Sequence, residues 1–236
     1  MRIFCPFCDA VREPKSFGIK SPVFQKRSVV DAGPRPLARC KHCKSMERER
    51  MLNWCISDRI GIRHAKLLHF APSYTLQAWL SKHGQLEVTC TDLMPRRYRH
   101  VGPVVKADIT ALPFSTDSFD FIVCSHVLEH IPDDLLALSE LDRVLKPGGF
   151  AFILVPLITD GLGPVEDLTV KTDAERLEMF GQADHVRIYD SETLEHRMAK
   201  AGMGVQVFDP YKENPIRAIA YGIGEGNAII IGKKCS

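Results

Sequence analysis

Two pairs of cysteines near the N-terminus have the spacing of metal ligands. The first pair is Cys5 and Cys8, and the second is Cys40 and Cys43, with two residues inside each pair. Each pair can present two thiolates on one side of a tight turn, and two pairs complete the tetrahedral sulfur shell of a zinc ion. Since four protein thiolates leave no position open for water, the predicted Zn²⁺ is structural and not catalytic.

The main alternative for these cysteines is a disulfide framework. Bridges within a pair would close very tight loops, and the N-terminus lacks the apolar stretch of a secretory signal, so an oxidising compartment is not indicated. We therefore expect a cytoplasmic protein. No apolar run reaches the roughly 18 residues of a membrane-spanning helix, so we expect no membrane span.

Charge is unevenly distributed along the 236 residues, although the net charge is only +2. Residues 1–66 carry 15 Lys and Arg against 6 Asp and Glu, whereas residues 67–236 carry 16 against 23. A basic segment with zinc ligands can bind nucleic acid, or it can dock on the acidic remainder of the chain. We treat nucleic acid as the less favoured partner, because Phe17 and Phe24 do not form an obvious stacking platform.

The chain divides into three regions. Residues 1–45 are too few to bury a sufficient core, so we interpret them as a zinc-ribbon-like module in which the metal replaces part of that core. Residues 46–64 are predicted to form a connecting helix. Residues 65–236 are long enough for one catalytic-type domain.

The connecting helix is predicted from its cap and its apolar stripe. Ser45 can cap the N-terminus of the helix. Leu52, Ile56 and Ile60 recur every four residues and so share one face. Gly61 is expected to end the helix. We expect the apolar face to pack the zinc module onto the larger domain.

Apolar strand-like runs alternate with helical segments from residue 66 onward. This alternation predicts an α/β fold with a doubly wound, mostly parallel sheet and helices on both faces. Strands are predicted at residues 66–70, 86–91, 104–107, 119–124, 150–155, 205–208 and 228–232. Helices are predicted at residues 75–82, 133–146 and 191–201.

Acidic residues follow two successive strands of the predicted sheet. Asp92 comes directly after the second strand, 19 residues beyond Ser73, and Asp108 follows the third. Ligands of such sheets bind outside the carboxyl ends of the strands, and a carboxylate about 20 residues after the first loop binds ribose hydroxyls. Two acids in this order suit a nucleoside, one for the sugar and one for an adenine amino group. Each could instead cap the helix that follows it.

Four motifs in order resemble the class I S-adenosylmethionine-dependent methyltransferases of the type 11 kind. They are residues 107–114 (ADITALPF), 118–120 (SFD), 125–131 (SHVLEHI) and 143–149 (RVLKPGG). The likeness covers about residues 65–232. It implies a mostly parallel, seven-stranded Rossmann-like sheet and S-adenosylmethionine as the cofactor.

The resemblance also implies a set of cofactor-binding residues. Asp92 would hold the ribose, Asp108 and Ile109 the adenine, and Ser125 with His126 would line the methyl-transfer crevice. The implied cofactor residues are His69, Phe70, Ala71, Pro72, Ser73, Asp92, Leu93, Asp108, Ile109, Ser125 and His126.

The first loop departs from the family pattern. The family has a glycine-rich loop there, whereas this chain has Ala71, Pro72 and Ser73. Glycines let a backbone approach a ligand closely, but Ala71 is small and Pro72 is rigid. S-adenosylmethionine carries no phosphate that would need a nest of backbone amides, so its amino-acid end is still expected to fit.

Methyl transfer requires an aligned acceptor and, for many acceptors, a base. His126, Glu129 and His130 follow the fourth strand and are candidates for this role. His185 is a further candidate, in a long polar insertion over residues 158–187 that we expect to act as a lid or substrate wall. The predicted catalytic residues are His130, His185 and His126.

The sequence therefore predicts a methyltransferase that acts on a small-molecule acceptor, such as a sugar, a lipid precursor or a natural-product intermediate. One alternative is an RNA methyltransferase whose zinc module binds the substrate. The other is a non-catalytic binding protein that kept the fold and whose altered first loop no longer binds cofactor.

Overall fold

The structure is a computed structural model that describes residues 1–60, 64–82 and 85–235. The predicted helix end at Gly61 and the side chain of Ile60 lie outside the part that is described.

The N-terminal region consists of short elements around the cysteine pairs. Strands β1 and β2 form one antiparallel hairpin, and β3 pairs antiparallel with β5. Cys5 ends β1 and Cys40 ends β5, so the two hairpins bring the two cysteine pairs together. The elements are β1 Ile3–Cys5, β2 Ala10–Arg12, β3 Pro14–Phe17, α1 Pro22–Lys26, β4 Val29–Val30, β5 Arg35–Cys40 and α2 Glu47–Ile60.

The remaining elements alternate as predicted. The first half contains β6 Ala65–Phe70, α3 Tyr74–Lys82, β7 Leu86–Asp92, β8 Val105–Lys106, β9 Phe119–Ser125, α4 Asp134–Val144 and β10 Leu145–Leu154, with short 3₁₀ helices at Pro95–Tyr98 and Leu128–His130. The second half contains β11 Leu157–Ile158, β12 Val165–Glu166, α5 Asp173–Phe180, β13 Arg187–Asp190, α6 Ser191–Lys200, β14 Met203–Phe208, α7 Pro210–Glu213, α8 Pro215–Ala220 and β15 Ile229–Lys234.

Seven strands form the main sheet in the order β14-β15-β10-β9-β6-β7-β8. The five strands from β10 to β8 are parallel, and β15 runs antiparallel to both of its neighbours, β10 and β14. The order reverses between β6 and β9, which creates a crevice at their carboxyl ends. The predicted doubly wound, mostly parallel α/β fold is confirmed.

Helices cover both faces of this sheet, as the side chains of β9 illustrate. Phe121 and Val123 point into a core with α2 and α3, whereas Ile122 and Cys124 point into a core with α4 and α6. All four side chains are almost fully buried, which explains why the strand reads as one continuous apolar run. Helix α2 is therefore part of one helical layer.

A second, four-stranded sheet joins the N-terminal region to the insertion between β10 and α6. Its order is β12-β13-β11-β4, with β4 antiparallel to β11. Phe24 and Val29 from the N-terminal region share a small core there with Ile158, Phe180 and Ile188. The insertion is thus anchored against the N-terminal region by backbone hydrogen bonds and by apolar packing.

Some element ends differ from the predicted ones. Helix α4 ends at Val144 and not at residue 146, because Leu145 already pairs with Phe119 and the chain then bulges before resuming the ladder at Phe150. The expected cap by Ser45 is also wrong: α2 begins at Glu47, and the carboxylate of Glu49 accepts the Met46 N–H at 2.6 Å.

Within the described residues, no helix combines the length and apolar composition needed to cross a membrane.

Candidate functional site

The four paired cysteines converge at one point. The Sγ atoms of four cysteines lie within 4.8 Å of one another, and none of the four forms a disulfide: Cys5, Cys8, Cys40 and Cys43. Each pair is held by a tight turn: the Cys8 N–H donates to the Cys5 carbonyl and the N–H of the residue after Cys43 donates to the Cys40 carbonyl, both at 3.1 Å. Four thiols so arranged match the donor set of a tetrahedral zinc site.

A buried arginine ties the cysteine region to the rest of the molecule. Arg50 on α2 is fully buried and donates to the carbonyl oxygens of Leu37 (2.8 Å), Ser45 (3.0 Å) and Tyr221 (2.6 Å). Burial lowers the pKa of this guanidinium, but arginine still carries its charge at neutral pH. Arg50 thereby satisfies carbonyls on both sides of the contact.

A pocket of about 360 Å³ opens at the carboxyl ends of the parallel strands. Its size falls in the range of small-molecule sites. Seven predicted cofactor residues line it: Phe70, Ala71, Asp92, Leu93, Asp108, Ile109 and His126. The other predicted cofactor residues are not among its lining residues: His69, Pro72, Ser73 and Ser125.

Asp92 and Asp108 each use one oxygen to shape their own loop. Oδ1 of Asp92 accepts the Met94 N–H at 2.6 Å, and Oδ1 of Asp108 accepts the N–H and the hydroxyl of Thr110 at 2.9 and 2.7 Å. The bonds from Thr110 lower the pKa of Asp108, so this carboxylate is charged at neutral pH. Both acids line the pocket at adjacent strand ends.

The first loop adopts a conformation that glycine would adopt more easily. Ala71 has a φ of +45°, in the left-handed region, and its N–H donates to the Thr91 carbonyl at 3.1 Å. The hydroxyl of Ser73 donates to the buried carboxylate of Glu49 on α2. The loop is therefore held by α2 and by β7, with Ala71 in a backbone conformation that glycine adopts more readily.

His126 lies between two carboxylates. Its Nε2 is 2.7 Å from Oδ2 of Asp31, and its Nδ1 is 3.2 Å from Oε1 of Glu129. Burial lowers the pKa of His126 and Arg48 does so too, but the two carboxylates outweigh both, and the net pKa is raised. The half-buried ring is thus held on both sides, and its φ of +57° places it in a strained conformation of the kind found at functional sites.

Three further predicted or candidate residues cluster beside His126. One ligand atom from each of Glu129, His130 and His185 lies within 4.8 Å of the other two. The His130 and His185 rings pack edge to face with centroids 4.8 Å apart. Glu129 and His185 are buried, and burial lowers the pKa of His185 to about 4. His130 is half-buried and lines the pocket.

A residue that the sequence did not suggest contributes to this site from the N-terminal region. Asp31 lies 95 positions before His126 and is itself held by Arg35 (3.3 Å) and Arg48 (3.1 Å). These arginines and His126 keep the pKa of Asp31 below its usual value, although burial opposes them. Local sequence carries no signal for this contact, because β4 and α2 bring it about through tertiary packing.

A larger cleft of about 600 Å³ lies beside α6, away from the strand ends. Arg187 and Arg197 line it, but both pair with Glu166 at its edge. Arg187 is almost fully buried and also donates to the Pro132 carbonyl at 2.8 Å. These arginines hold the insertion to the following strand and helix, so the pocket at the strand ends is the better candidate site.

Residues 73–153 match a family model described as a methyltransferase domain. Among curated proteins, demethylmenaquinone methyltransferases of Staphylococcus aureus and Staphylococcus carnosus are 45% identical over 51 residues, or 22% of this chain. The chain spans about a fifth (21%) of the length of these relatives.

Three solved structures share the fold. An S-adenosylmethionine-dependent methyltransferase from Mesorhizobium loti aligns with a TM-score of 0.54 at 15% identity, covering 77% of this chain and 96% of that one. A chain in the Haloferax volcanii complex of the Trm112 methyltransferase activator with a methyltransferase aligns at 0.56, with 14% identity and 80% and 92% coverage. The [4+2]-cyclase SpnF aligns at 0.55, with 14% identity and 93% and 99% coverage.

Proposed function

We propose that this chain, whose residues 73–153 match a methyltransferase domain, transfers a methyl group from S-adenosylmethionine to a small-molecule acceptor. The observation that carries the proposal is the composition of one pocket. Asp92 ends β7 and Asp108 follows β8, whereas His126 and His130 follow β9 on the other side of β6, and all four line the pocket. Nucleoside-binding acids and groups that can handle a proton thus face the same space.

The acidic side of the pocket suits an adenosine. Asp92 follows β7 and is proposed to accept the ribose hydroxyls, and Asp108 follows β8 and is proposed to accept the adenine amino group. Phe70 and Ile109 line the same space and offer apolar surface for the base. Ala71 adopts the backbone geometry of a glycine, which supports binding of the cofactor's amino-acid end at the first loop.

The histidine side of the pocket suits the acceptor. Methyl transfer is an in-line displacement at a sulfonium, so the protein aligns the acceptor atom and removes its proton where there is one. His126 is held between the carboxylates of Asp31 and Glu129, so we assign it a positioning role. We assign proton removal to the group of Glu129, His130 and His185, of which His130 lines the pocket.

A small acceptor is favoured over RNA because much of the N-terminal positive charge is used internally. Arg27 pairs with Asp160 at 2.6 Å, Arg35 with Glu47, and Arg50 with backbone carbonyls. Charges engaged in this way are not available to phosphates. The basic N-terminal region is therefore proposed to dock on the body of the same molecule.

We also propose that Cys5, Cys8, Cys40 and Cys43 hold a structural Zn²⁺. The zinc would neutralise the thiolates and lock the two hairpins together, in a region that buries little apolar surface of its own. Thr75 at the start of α3 donates its hydroxyl to the Cys43 carbonyl at 3.2 Å, so the cysteine turn touches the helix that follows the first loop. Loss of the metal would then disturb the cofactor loop as well.

The proposal is tested by following a labelled methyl group. Purified protein is incubated with methyl-labelled S-adenosylmethionine and, separately, with a small-molecule extract freed of macromolecules and with purified RNA. We expect label in a small-molecule product, and a loss of that product with Asp92→Ala. Label in RNA instead would support the RNA methyltransferase, and no transfer with no cofactor binding would support a non-catalytic binding protein.

A further inference from the structure

A buried carboxylate lies next to the pocket residue His126. Glu129 is fully buried, and apart from the ion pair with His126, neither of its oxygens accepts a hydrogen bond from any residue that the structure describes. Nδ1 of His185, buried beside it, also has no hydrogen-bond partner within the same described ranges. Unsatisfied buried polar groups are costly, so each calls for an explanation such as a bound ion.

The hydrogen bonds of the two neighbouring histidines leave a lone pair on each ring. Nδ1 of His130 is 3.0 Å from the Asp184 carbonyl oxygen and so carries the proton, which leaves the lone pair on Nε2. Nε2 of His185 is 2.7 Å from the side-chain amide nitrogen of Gln182, which donates to it. A 180° turn of that amide places its oxygen there as the acceptor, puts the ring proton on Nε2 and leaves the lone pair on Nδ1, which has no partner among the described residues. Both rings are thus available as metal ligands.

We propose that Glu129, His130 and His185 form a binding site for a divalent transition-metal ion, separate from the cysteine cluster. One ligand atom of each residue lies within 4.8 Å of the others. An ion bonded at about 2.0–2.1 Å holds its ligand atoms roughly 3.3 Å apart, so the ligand atoms would close in by up to about 1.5 Å on binding. Two imidazoles and one carboxylate are a donor set for zinc, iron or manganese and leave coordination positions open.

The surrounding residues have the arrangement of supports around a metal site. Asp31 holds His126 at 2.7 Å, and His126 in turn faces the Glu129 carboxylate at 3.2 Å, so a chain of polar contacts runs from the N-terminal region to the ligand carboxylate. The backbone of the two ligand segments is tied together, since the Val186 N–H donates to the Glu129 carbonyl at 2.9 Å. Such outer contacts orient ligands and raise metal affinity.

The open positions of the ion would face the pocket that His130 lines. Here the inference rests on the proposed function and replaces direct proton removal by these three side chains, whose lone pairs the ion would occupy: an acceptor hydroxyl bound to the ion loses its proton to water more readily. The acceptor oxygen then forms a bond to the methyl carbon as the carbon–sulfur bond breaks, and the bonding pair leaves with sulfur as S-adenosylhomocysteine. The metal site itself is testable without any turnover.

The test is a Co²⁺ titration of the full-length, metal-stripped protein under reducing, oxygen-free conditions. An ion bound by thiolates gives strong near-ultraviolet charge-transfer absorption, whereas one bound by imidazole and carboxylate gives only weak visible bands. We expect two ions per chain, one of each kind. A wild-type protein that takes up only a thiolate-bound ion, or none, overturns the proposal even if every variant fails to fold.

Variants assign the second ion to its ligands. Glu129→Gln and His185→Gln are expected to keep the thiolate-bound ion and to weaken the other by at least about tenfold. His196→Gln is the matched control, because His196 is exposed on α6 and outside the cluster, and it should keep both. Unchanged Co²⁺ binding in both ligand variants contradicts the assignment.

A parallel titration with S-adenosylhomocysteine separates this inference from the proposed function. A second Co²⁺ ion without cofactor binding would refute only the methyltransferase proposal. Cofactor binding without the second ion would refute only the metal site.

Discussion

His69 is the second-to-last residue of strand β6, just before the first loop, and its imidazole is buried. Its Nδ1 lies 3.0 Å from Oε1 of Gln77, and it is almost wholly excluded from solvent. Burial lowers the pKa of His69 to about 4, compared with about 6.5 for an exposed histidine. The ring is therefore neutral in the folded state, while the unfolded chain takes up a proton as the pH falls below about 6.5.

This difference predicts a pH-dependent stability. Because the unfolded state binds the extra proton, the contribution of His69 to the free energy of unfolding is fully present above about pH 6.5. It is lost as the pH falls towards 4, by about 2 kcal/mol between pH 7 and pH 5. His69→Gln keeps a polar partner for Gln77 and has no such proton. Urea unfolding at both pH values should show a smaller loss for the variant, and equal losses would contradict the assignment.

Asp31 holds His126 at the histidine side of the pocket. It is almost fully buried and contacts Arg35, Arg48 and His126. Asp31→Asn would leave these cations without their shared carboxylate, and breaking a buried ion network of this kind costs about 3–5 kcal/mol. We expect a loss of this size in urea unfolding at neutral pH.

The control for Asp31 is an ion pair on the surface. Glu13 pairs with Lys41 at 2.8 Å in full contact with solvent, so Glu13→Gln should leave the unfolding midpoint unchanged. A midpoint for Asp31→Asn that matches the control would mean that Asp31 does not hold His126. At this scale the sequence indicated His126, Glu129, His130 and His185 as separate candidates for a base. It did not reveal Asp31, because ion pairs across 95 positions leave no local pattern.

The first loop is the element in which this chain departs from the pattern of the methyltransferases that it resembles, and its conformation predicts how it tolerates substitution. Ala71 has a positive φ, which costs an L-residue about 1 kcal/mol or more, and it lines the pocket. Ala71→Gly should remove that strain and bind S-adenosylhomocysteine at least as tightly as the wild type. Ala71→Val adds a branched side chain at the same φ and should weaken binding by at least about tenfold.

Calorimetric titration of the two variants checks this prediction. Thermal unfolding serves as the control, because a variant that melts like the wild type but no longer binds has lost the site and not the fold. Wild-type affinity in Ala71→Val would show that the cofactor does not approach this loop.

Elements differ in how well their sequence predicts them. Long apolar strands such as β9 and β10 were readily recognised, since burial on both faces gives a continuous apolar run. The two-residue strands β4 and β11 were not, because their pairing depends on the approach of segments more than a hundred residues apart. The departure at Leu145 has a similar cause, since pairing with Phe119 outweighs helix continuation there.

At the scale of the whole molecule, the basic N-terminal region and the acidic body pack against each other. Arg27 reaches Asp160, Arg50 reaches the Tyr221 carbonyl, and β4 extends a sheet of the insertion. The sequence predicted the uneven charge and left open whether it serves docking or nucleic acid. Intramolecular pairs of this kind support docking, and they bring Asp31 to the strand ends where the pocket lies.

The most direct test of the central claim is a calorimetric titration with S-adenosylhomocysteine. We expect one molecule to bind per wild-type chain, and Asp92→Asn to weaken binding by roughly tenfold or more, because a neutral amide cannot accept the ribose hydroxyls as a carboxylate does. Asp167→Asn is the matched control. Asp167 accepts the N–H of the residue two positions later, Thr169, as Asp92 accepts that of Met94, but Asp167 does not line the pocket. No binding by the wild type, or equal affinity for wild type and Asp92→Asn, would contradict the account.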